Sequence, residues 1–578
     1  MSSALSPGSC NKLLDWTIFF TYHKQPIIKD ITVKPDPGSK NYIQWLRLLL
    51  ALIVISFVYL YRLDRPLLWG DEADTGIEAR NILRCGYPMA YDGRNVSVYE
   101  SGSQLNRNLL CKKIPWVQYY LAAASLAVFG NNTAGLRCLF AIAGVIAFFP
   151  IYFFLKKRVK YPDIITALIL LSPQTVLFQR NARYYSILIL LYAFLLWHLS
   201  TDFKSRKIQF LTALLIFILF FHTHPFAAAC CCFSLVLFCL LFRRKMLSVY
   251  LFSSCIGFLS WLLWYQSLGP SLSKSPLSFS LIISNFSAWL GPFLADFFTG
   301  LLAAVIDLDA VDCLPILLWL ALLTILLLKG RKTVLNIFKD PLPSFILLNI
   351  LVQAVATAAV FGSETGYKYS ILRYMPHLVV AAMALSFFML DSAVKIRGLY
   401  VPVCIFAAAF NLLTLSFWTK PYSRNVPVSW LFPVYSEIFR PQNDIWDNVI
   451  AKLRSPSSDP ADSYKTIVTL PDWTQEVTIF YLGDRYLVPP AMDASSAESK
   501  QRIREIIGET SFRRLGARPQ WILDTLDFVK TTPAGYKIAD IYPSHRARPD
   551  DGTRPELTRH TFPQSAIVRN VKLYQLQK

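Results

Sequence analysis

Hydrophobic residues in this chain come in long blocks rather than in alternation. The blocks run for about 17 to 25 residues between basic or turn-forming positions, the length a helix needs to cross roughly 30 Å of hydrocarbon. Inside a bilayer each backbone amide must be bonded within its own segment, so each block predicts a spanning helix. The blocks fall near residues 45–62, 137–155, 163–179, 183–199, 208–222, 225–242, 247–267, 312–328, 343–361, 375–391 and 399–418. The predicted fold class is therefore an α-helical polytopic membrane protein with about eleven transmembrane helices. The first block follows a polar stretch containing Lys12, Lys24, Lys29, Lys34 and Lys40 and precedes no small-residue cleavage site, so it predicts a retained helix behind a cytoplasmic tail, residues 1–44.

Composition agrees with this pattern. The chain is 54% hydrophobic, 14% aromatic and 16% charged, with a mean hydropathy of +0.39; a soluble globular domain does not have this balance. The net charge of +21 is a topology signal before it is a partner signal. Short basic stretches at 156–158, 204–207, 243–245, 329–332 and 395–397 all fall on the side of the N-terminal tail, as the positive-inside rule requires of cytoplasmic loops. The excess charge needs no nucleic acid to explain it, and a basic surface favours anionic membrane lipid. Residues 278–306 are apolar enough to insert, yet one crossing there would reverse the later basic loops. They predict a hairpin that re-enters or lies on the opposite face, beside Asp296, Asp307 and Asp309.

Past residue 420 the pattern changes. Pro421, Pro427, Pro433 and Pro441 form a linker into a polar region, and residues 420–578 predict a separate extracytoplasmic α/β domain. Within it 466–470 and 477–482 read as short buried strands and 499–507 as a helix. Most cysteines lie in apolar helices, where a thiol packs as a small hydrophobe. Cys85 and Cys111 share the first large loop, and both a disulfide and two free thiols fit them. The sequons at Asn95, Asn131 and Asn285 are short enough to occur by chance and establish no glycosylation.

The loop from about 63 to 136 is too long for a connector. It opens on Trp69-Gly70-Asp71-Glu72-Ala73-Asp74. Two readings of the paired acids stand open: a general base at the membrane surface, or the acidic first turn of a helix over 73–83 with Asp71 as its cap.

The stretch from Trp69 through Ala73, with Ala79-Arg80-Asn81-Ile82-Leu83-Arg84-Cys85-Gly86-Tyr87-Pro88, resembles the first-loop signature of GT-C type membrane glycosyltransferases. That superfamily includes the protein O-mannosyltransferases and the lipid A aminoarabinose transferases. Ile114-Pro115-Trp116-Val117-Gln118-Tyr119-Tyr120-Leu121, Phe129-Gly130, Arg137, Arg180-Asn181-Ala182-Arg183-Tyr184-Tyr185-Ser186 and Arg373-Tyr374-Met375-Pro376 resemble later family elements in the right order. The resemblance spans 45–419, the implied catalytic domain, and is strongest over 67–200. It implies an enzyme that takes a sugar from a polyprenyl-phosphate carrier and passes it to a glycolipid, polysaccharide or protein acceptor on the extracytoplasmic face of a bacterial cytoplasmic membrane.

By this likeness Asp71 is the candidate base, with Glu72 orienting it or the acceptor. Arg180, Arg183, Tyr184, Tyr185, Arg373 and Tyr374 are candidates for holding the donor phosphate, and all map to one face under the charge-derived topology. An arginine snorkelling to lipid phosphate and a tyrosine in the interfacial belt compete with that reading. Lys112, Lys113 and Arg137 are candidates for acceptor or carrier binding, and Arg137 fits equally as a brace for the loop helix. Two family acids are missing: Arg183 stands where aminoarabinose transferases carry a second carboxylate, and Lys113-Ile114-Pro115 stands where they carry an acid contributing to a metal site. No cofactor is assigned for that reason. A divalent metal remains open on His222 and His224 with Glu100 or Asp92, against plain interfacial hydrogen bonding by the histidines. A secondary transporter and a noncatalytic scaffold for envelope glycan assembly are the alternatives. The first calls for charges near the midplane and an internal repeat, neither of which the sequence carries.

Overall fold

The computed structural model describes residues 39–98, 104–112, 114–272, 340–361, 374–393, 435, 438–439, 445–455, 465–470, 474–490, 497–515, 518–525, 527–544 and 569–577. The predicted spans 312–328 and 399–418 and the hairpin 278–306 lie outside the described residues. The chain divides into two units, Met1–Leu48, whose described part is the first half of one helix, and Leu49–Lys578.

Helices dominate the second unit. They are α1 (Ser39–Leu60, which begins in the first unit), α2 (Gly70–Cys85), α3 (Val117–Phe129), α4 (Thr133–Ile146), α5 (Phe148–Leu155), α6 (Pro162–Leu170), α7 (Pro173–Gln179), α8 (Tyr184–Ser200), α9 (Arg206–Phe221), α10 (Pro225–Phe242), α11 (Leu247–Ser267), α12 (Pro341–Phe361) and α13 (Pro376–Ala393). Among the described residues five stretches are long and apolar enough to cross a membrane: Tyr42–Leu60, Thr133–Leu155, Pro225–Phe242, Arg244–Ser267 and Pro341–Val360. The predicted span 163–179 is two shorter helices, α6 and α7. Pro173 has no amide to give to the turn before it, and it starts α7 instead. At one end of the bundle Arg158 bonds Asp340 (2.6 Å) and Ser200 (3.2 Å), gathering the ends of α5 and α8 and the start of α12. The opposite end carries the first loop.

The C-terminal region adds α14 (Ile445–Arg454), α15 (Gln475–Leu482), α16 (Ala497–Ile507) and α17 (Glu509–Leu515) to a five-stranded sheet of β1 (Lys465–Leu470), β2 (Tyr486–Leu487), β3 (Trp521–Asp524), β4 (Tyr536–Ser544) and β5 (Arg569–Leu576). The strand order is β2-β1-β3-β5-β4. β1 runs parallel to β2 and β3, with Ile467 opposite Trp521, and β5 runs antiparallel to β3 and β4. The strand predicted at 477–482 is helix α15. A short run apolar on every side does not distinguish strand from buried helix, and parallel neighbours such as β1 and β2 need a crossover, which α15 supplies. The C-terminal region shares a core with the first loop: Val96, Val98, Leu105 and Leu109 pack with Leu487, Ile503, Ile507 and Leu515. Phe480 lies so close to α2 that a Cβ on Gly76 would meet its ring at 2.4 Å, and Arg80 covers that ring from 3.8 Å.

Candidate functional site

The site is built on the start of α2. Trp69 precedes the helix in an extended conformation, Asp71 and Glu72 occupy the first turn, and Gly86 closes it in the left-handed region at φ 86°. Two acids in the first turn suit the positive end of the helix dipole. The cap itself is not Asp71, because no side chain caps this helix and it begins at Gly70.

Adjacent on a helix, Asp71 and Glu72 diverge by about 100°. Glu72 turns inward, fully buried, and takes a two-pronged grip from Arg137 of α4: Nε to Oε1 at 2.8 Å and Nη2 to Oε2 at 2.5 Å. Oε1 also accepts the Ala182 amide at 2.8 Å. Arg137 gives its remaining N–H groups to the carbonyls of Leu63, Pro66 and Leu67 (3.0, 2.6 and 3.5 Å), fixing the connection from α1 to α2. Trp69 Nε1 donates to Asn181 Oδ1 at 2.7 Å, so the 180–183 turn is held against the start of α2. Asp71 keeps 41% of its side chain exposed, and Arg183 Nη2 stands 3.1 Å from its Oδ2. Arg183 Nη1 reaches the Asp71 carbonyl (3.2 Å) and Thr75 Oγ1 (3.4 Å), while its buried Nε has no hydrogen-bond partner among the described residues.

Further along the same face, Asp74 and Glu78 follow Asp71 at i+3 and i+7. Ser97 donates to Asp74 at 3.3 Å. Burial, reinforced by Asp74 and Cys85, pushes the Glu78 carboxyl well above the usual carboxylate range. From the C-terminal region α15 brings Gln475 and Glu476 to this face. Gln475 Nε2 donates to the Val98 carbonyl at 2.5 Å and to Glu476 at 3.2 Å. Burial and then Asp74 and Asp71 hold Glu476 well above its ordinary value. Tyr481 Oη accepts the Leu68 amide at 2.9 Å and meets Thr133 Oγ1 at 2.8 Å, one turn before the paired acids.

No protein-family model matches this chain, and no curated protein matches it in sequence. Solved structures do match it. ArnT from Cupriavidus metallidurans bound to undecaprenyl phosphate aligns at 14% identity over 93% of this chain and 98% of its own, with a TM-score of 0.52. Its apo state aligns at 13% identity over the same shares, with a TM-score of 0.50. ArnT is an aminoarabinose transferase of the GT-C superfamily. The chain has the GT-C fold.

Within the GT-C frame several predicted residues gather at the site and others serve elsewhere. Asp71 and Arg183 are brought together, and Tyr184 follows Arg183 as the first residue of α8, its ring 4.6 Å from His224 and 4.7 Å from Tyr185. Arg180 does not join them. Its guanidinium donates to the carbonyls of Val58, Tyr59, Tyr61 and Arg62 at 2.6 to 3.1 Å, closing the C-terminal end of α1. Glu72 and Arg137 are likewise bonded to each other in the buried interior, the geometry of a brace for the loop helix. Lys112 donates to the Gly269 carbonyl. Tyr374 directly precedes Met375 and α13, whereas Arg373, Lys113 and Glu100 lie outside the described residues.

The histidines are bonded elsewhere. His224 Nδ1 accepts the Ala227 amide at 3.1 Å as the cap of α10, and His222 Nε2 lies 3.2 Å from Ser260 Oγ. Asp92 accepts the amides of Arg94 and Asn95 in a turn. Among the described residues no group of three or more His, Cys, Asp or Glu converges to hold a metal. Cys85 and Cys111 are free thiols: Cys85 is exposed at the end of α2, while Cys111 is buried with its sulfur 3.0 Å from Tyr119 Oη. Sequence reasoning missed Glu78, Gln475, Glu476 and Tyr481. The spacing of Asp71, Asp74 and Glu78 was a readable signal for the first, but nothing local marks the other three as neighbours of α2.

Proposed function

We propose that this protein is a glycosyltransferase that moves a sugar from a polyprenyl-phosphate carrier to an acceptor hydroxyl at the extracytoplasmic face of a bacterial cytoplasmic membrane, with inversion. The observation that carries this reading is the Asp71–Arg183 pair, an accessible carboxylate joined to a buried guanidinium that still has an unmet Nε–H, in a chain with the GT-C fold. The neighbour ArnT was solved with undecaprenyl phosphate bound, which supports a carrier of that class here.

The pair supplies the two things the transfer needs. Arg183 supplies a guanidinium charge for the carrier phosphate, and Tyr184, Tyr185, Arg373 and Tyr374 are the further donors for charge that grows on the leaving group. Asp71 takes the proton of the acceptor hydroxyl as the new glycosidic bond forms and the sugar–phosphate bond breaks. A phosphate that draws Arg183 toward itself weakens the hold of Arg183 on Asp71, so donor binding makes the base more basic. Attack from the Asp71 side, opposite the departing phosphate, inverts the anomeric centre. Incubating the purified protein with a radiolabelled pool of polyprenyl-phosphate sugars and envelope acceptors tests the reading. Label should move to an acceptor with the opposite anomeric configuration, and failure of every carrier-linked sugar to react would favour the scaffold instead.

A further inference from the structure

Helix α15 carries an acid from the C-terminal region to the α2 face, and contacts at both of its ends fix it there. Gln475, at its first position, donates to the Val98 carbonyl at 2.5 Å. In its last turn the Phe480 ring lies under Arg80, which also donates to the Phe480 carbonyl at 2.7 Å, and Tyr481 Oη joins the Leu68 amide and Thr133. Held in this way, α15 keeps Glu476 against α2 with 4% of the residue exposed.

That seat suits a neutral side chain rather than a carboxylate. Glu476 accepts a side-chain hydrogen bond from Gln475 at 3.2 Å, and among the described residues no cation pairs with it. The charged groups around it are engaged elsewhere. On α2 Asp71 meets Arg183, Asp74 accepts from Ser97, and Arg80 is given to Phe480. Glu78, one turn beyond Asp74, is buried with its Oε2 unpartnered among the described residues. On α14 Asp447 pairs with Arg65, Lys452 with Asp540 and Arg454 with Asp484. On β1 Lys465 stands opposite Tyr486, which follows the far end of α15 from Glu476. Burial first, and then the charges of Asp74 and Asp71, hold the Glu476 carboxyl well above its ordinary range.

We propose that Glu476 is a positioning residue for the transfer: with its proton on, it seats α15 against α2 and closes the wall beside Asp71, and once solvent takes that proton, repulsion from Asp74 and Asp71 lifts α15 away. The role in transfer rests on the glycosyltransferase reading, whereas the seating of α15 is measured apart from it. A carboxyl that holds its proton more tightly docked than free favours docking in full below the free glutamate pKa of about 4.3, and loses that contribution as pH rises through the docked value.

Hydrogen–deuterium exchange at the amides of Ile479 to Leu482, in full-length protein in nanodiscs, reads the seat from acid to alkaline pH after correction for the intrinsic rise of exchange. Transfer of radiolabelled carrier-linked sugar is measured over the same range. Wild type should lose α15 protection and transfer together on the alkaline side. Glu476→Gln has no proton to lose, and should keep α15 protected at least roughly one pH unit beyond the wild-type midpoint. Asp74→Asn removes the first of the repelling charges and should blunt the loss, whereas Glu78→Gln should release α15 where wild type does. A wild type protected throughout, or a Glu476→Gln protein that releases α15 at the wild-type midpoint, would overturn the proposal. Protection retained in Glu78→Gln would overturn it too, by putting the deciding proton on Glu78. Transfer that continues unchanged after α15 has left removes Glu476 from the reaction and leaves the enzyme reading intact. Exchange that follows the expected pattern in a protein that transfers no sugar keeps the seat and drops the enzyme reading.

Discussion

The two sides of the α2 first turn hold the same kind of ion pair in opposite settings. On the inner side Glu72 and Arg137 have side-chain exposures of 0% and 2%, and every remaining N–H of the guanidinium is taken by a carbonyl. On the open side Asp71 keeps 41% exposure and Arg183 retains an unmet donor. A fully bonded buried pair fixes geometry and has little left for a substrate, and removing one partner strands the other charge. A half-open pair can exchange partners at low cost. The lesson is that neighbouring acids in one motif divide, one buried in a pair that holds the helix and its neighbour left accessible.

The contrast breaks most visibly if the inner pair is removed. Glu72→Gln leaves Arg137 buried and short of its counter-charge, and should lower unfolding stability by about 3–5 kcal/mol, measured by thermal unfolding in detergent. A Glu72→Gln protein that is as stable as wild type and inactive would make Glu72 the chemical residue and reverse the comparison. Asp71→Asn should do the opposite: unfolding unchanged, carrier still bound, and transfer reduced by at least roughly a hundredfold. Arg183→Ala should weaken the phosphate-linked donor by roughly ten- to a hundredfold in a direct binding assay. Equal donor affinity in wild type and variant would return Arg183 to the role of an interfacial anchor.

Smaller effects sharpen the picture. Tyr481→Phe removes the hydroxyl that ties the C-terminal region to Leu68 and Thr133, and should cost about 1–3 kcal/mol with donor affinity unaltered. Glu78 and Glu476 hold their protons more tightly folded than unfolded. Their contribution to stability is complete below the unfolded glutamate pKa of about 4.3 and is lost as pH rises through the raised values. Glu78→Gln should therefore raise the unfolding temperature at pH 8 and change it little at pH 4.

The sequence carried the helical membrane architecture, because block length against bilayer thickness is a local quantity. It also carried the first-loop helix with its acids and the Arg183-Tyr184 step. Two cases show where local reading ends. Arg180 and Arg183 look alike in the chain, and only the tertiary fold tells that one reaches back to the carbonyls of α1 while the other reaches Asp71. The run 477–482 looks like a strand until the parallel pairing of its flanks demands a crossover. The docking of Gln475, Glu476 and Tyr481 on α2, some four hundred residues away in sequence, left no periodicity to read.

Asn95 shows what that docking entails for the making of the protein. Fully buried, it donates to the carbonyls of Gly483 and Tyr486 at 3.1 and 3.2 Å and accepts the Val488 amide at 2.7 Å. The loop that carries the candidate site is synthesised early, yet its wall is delivered only when the ribosome has translated nearly four hundred residues beyond Asn95. Since chains fold from the N-terminus as they are made, the nascent protein waits in the membrane with an unfinished centre. A message cut short before residue 490 would yield helices that insert normally around a first loop that lacks its wall.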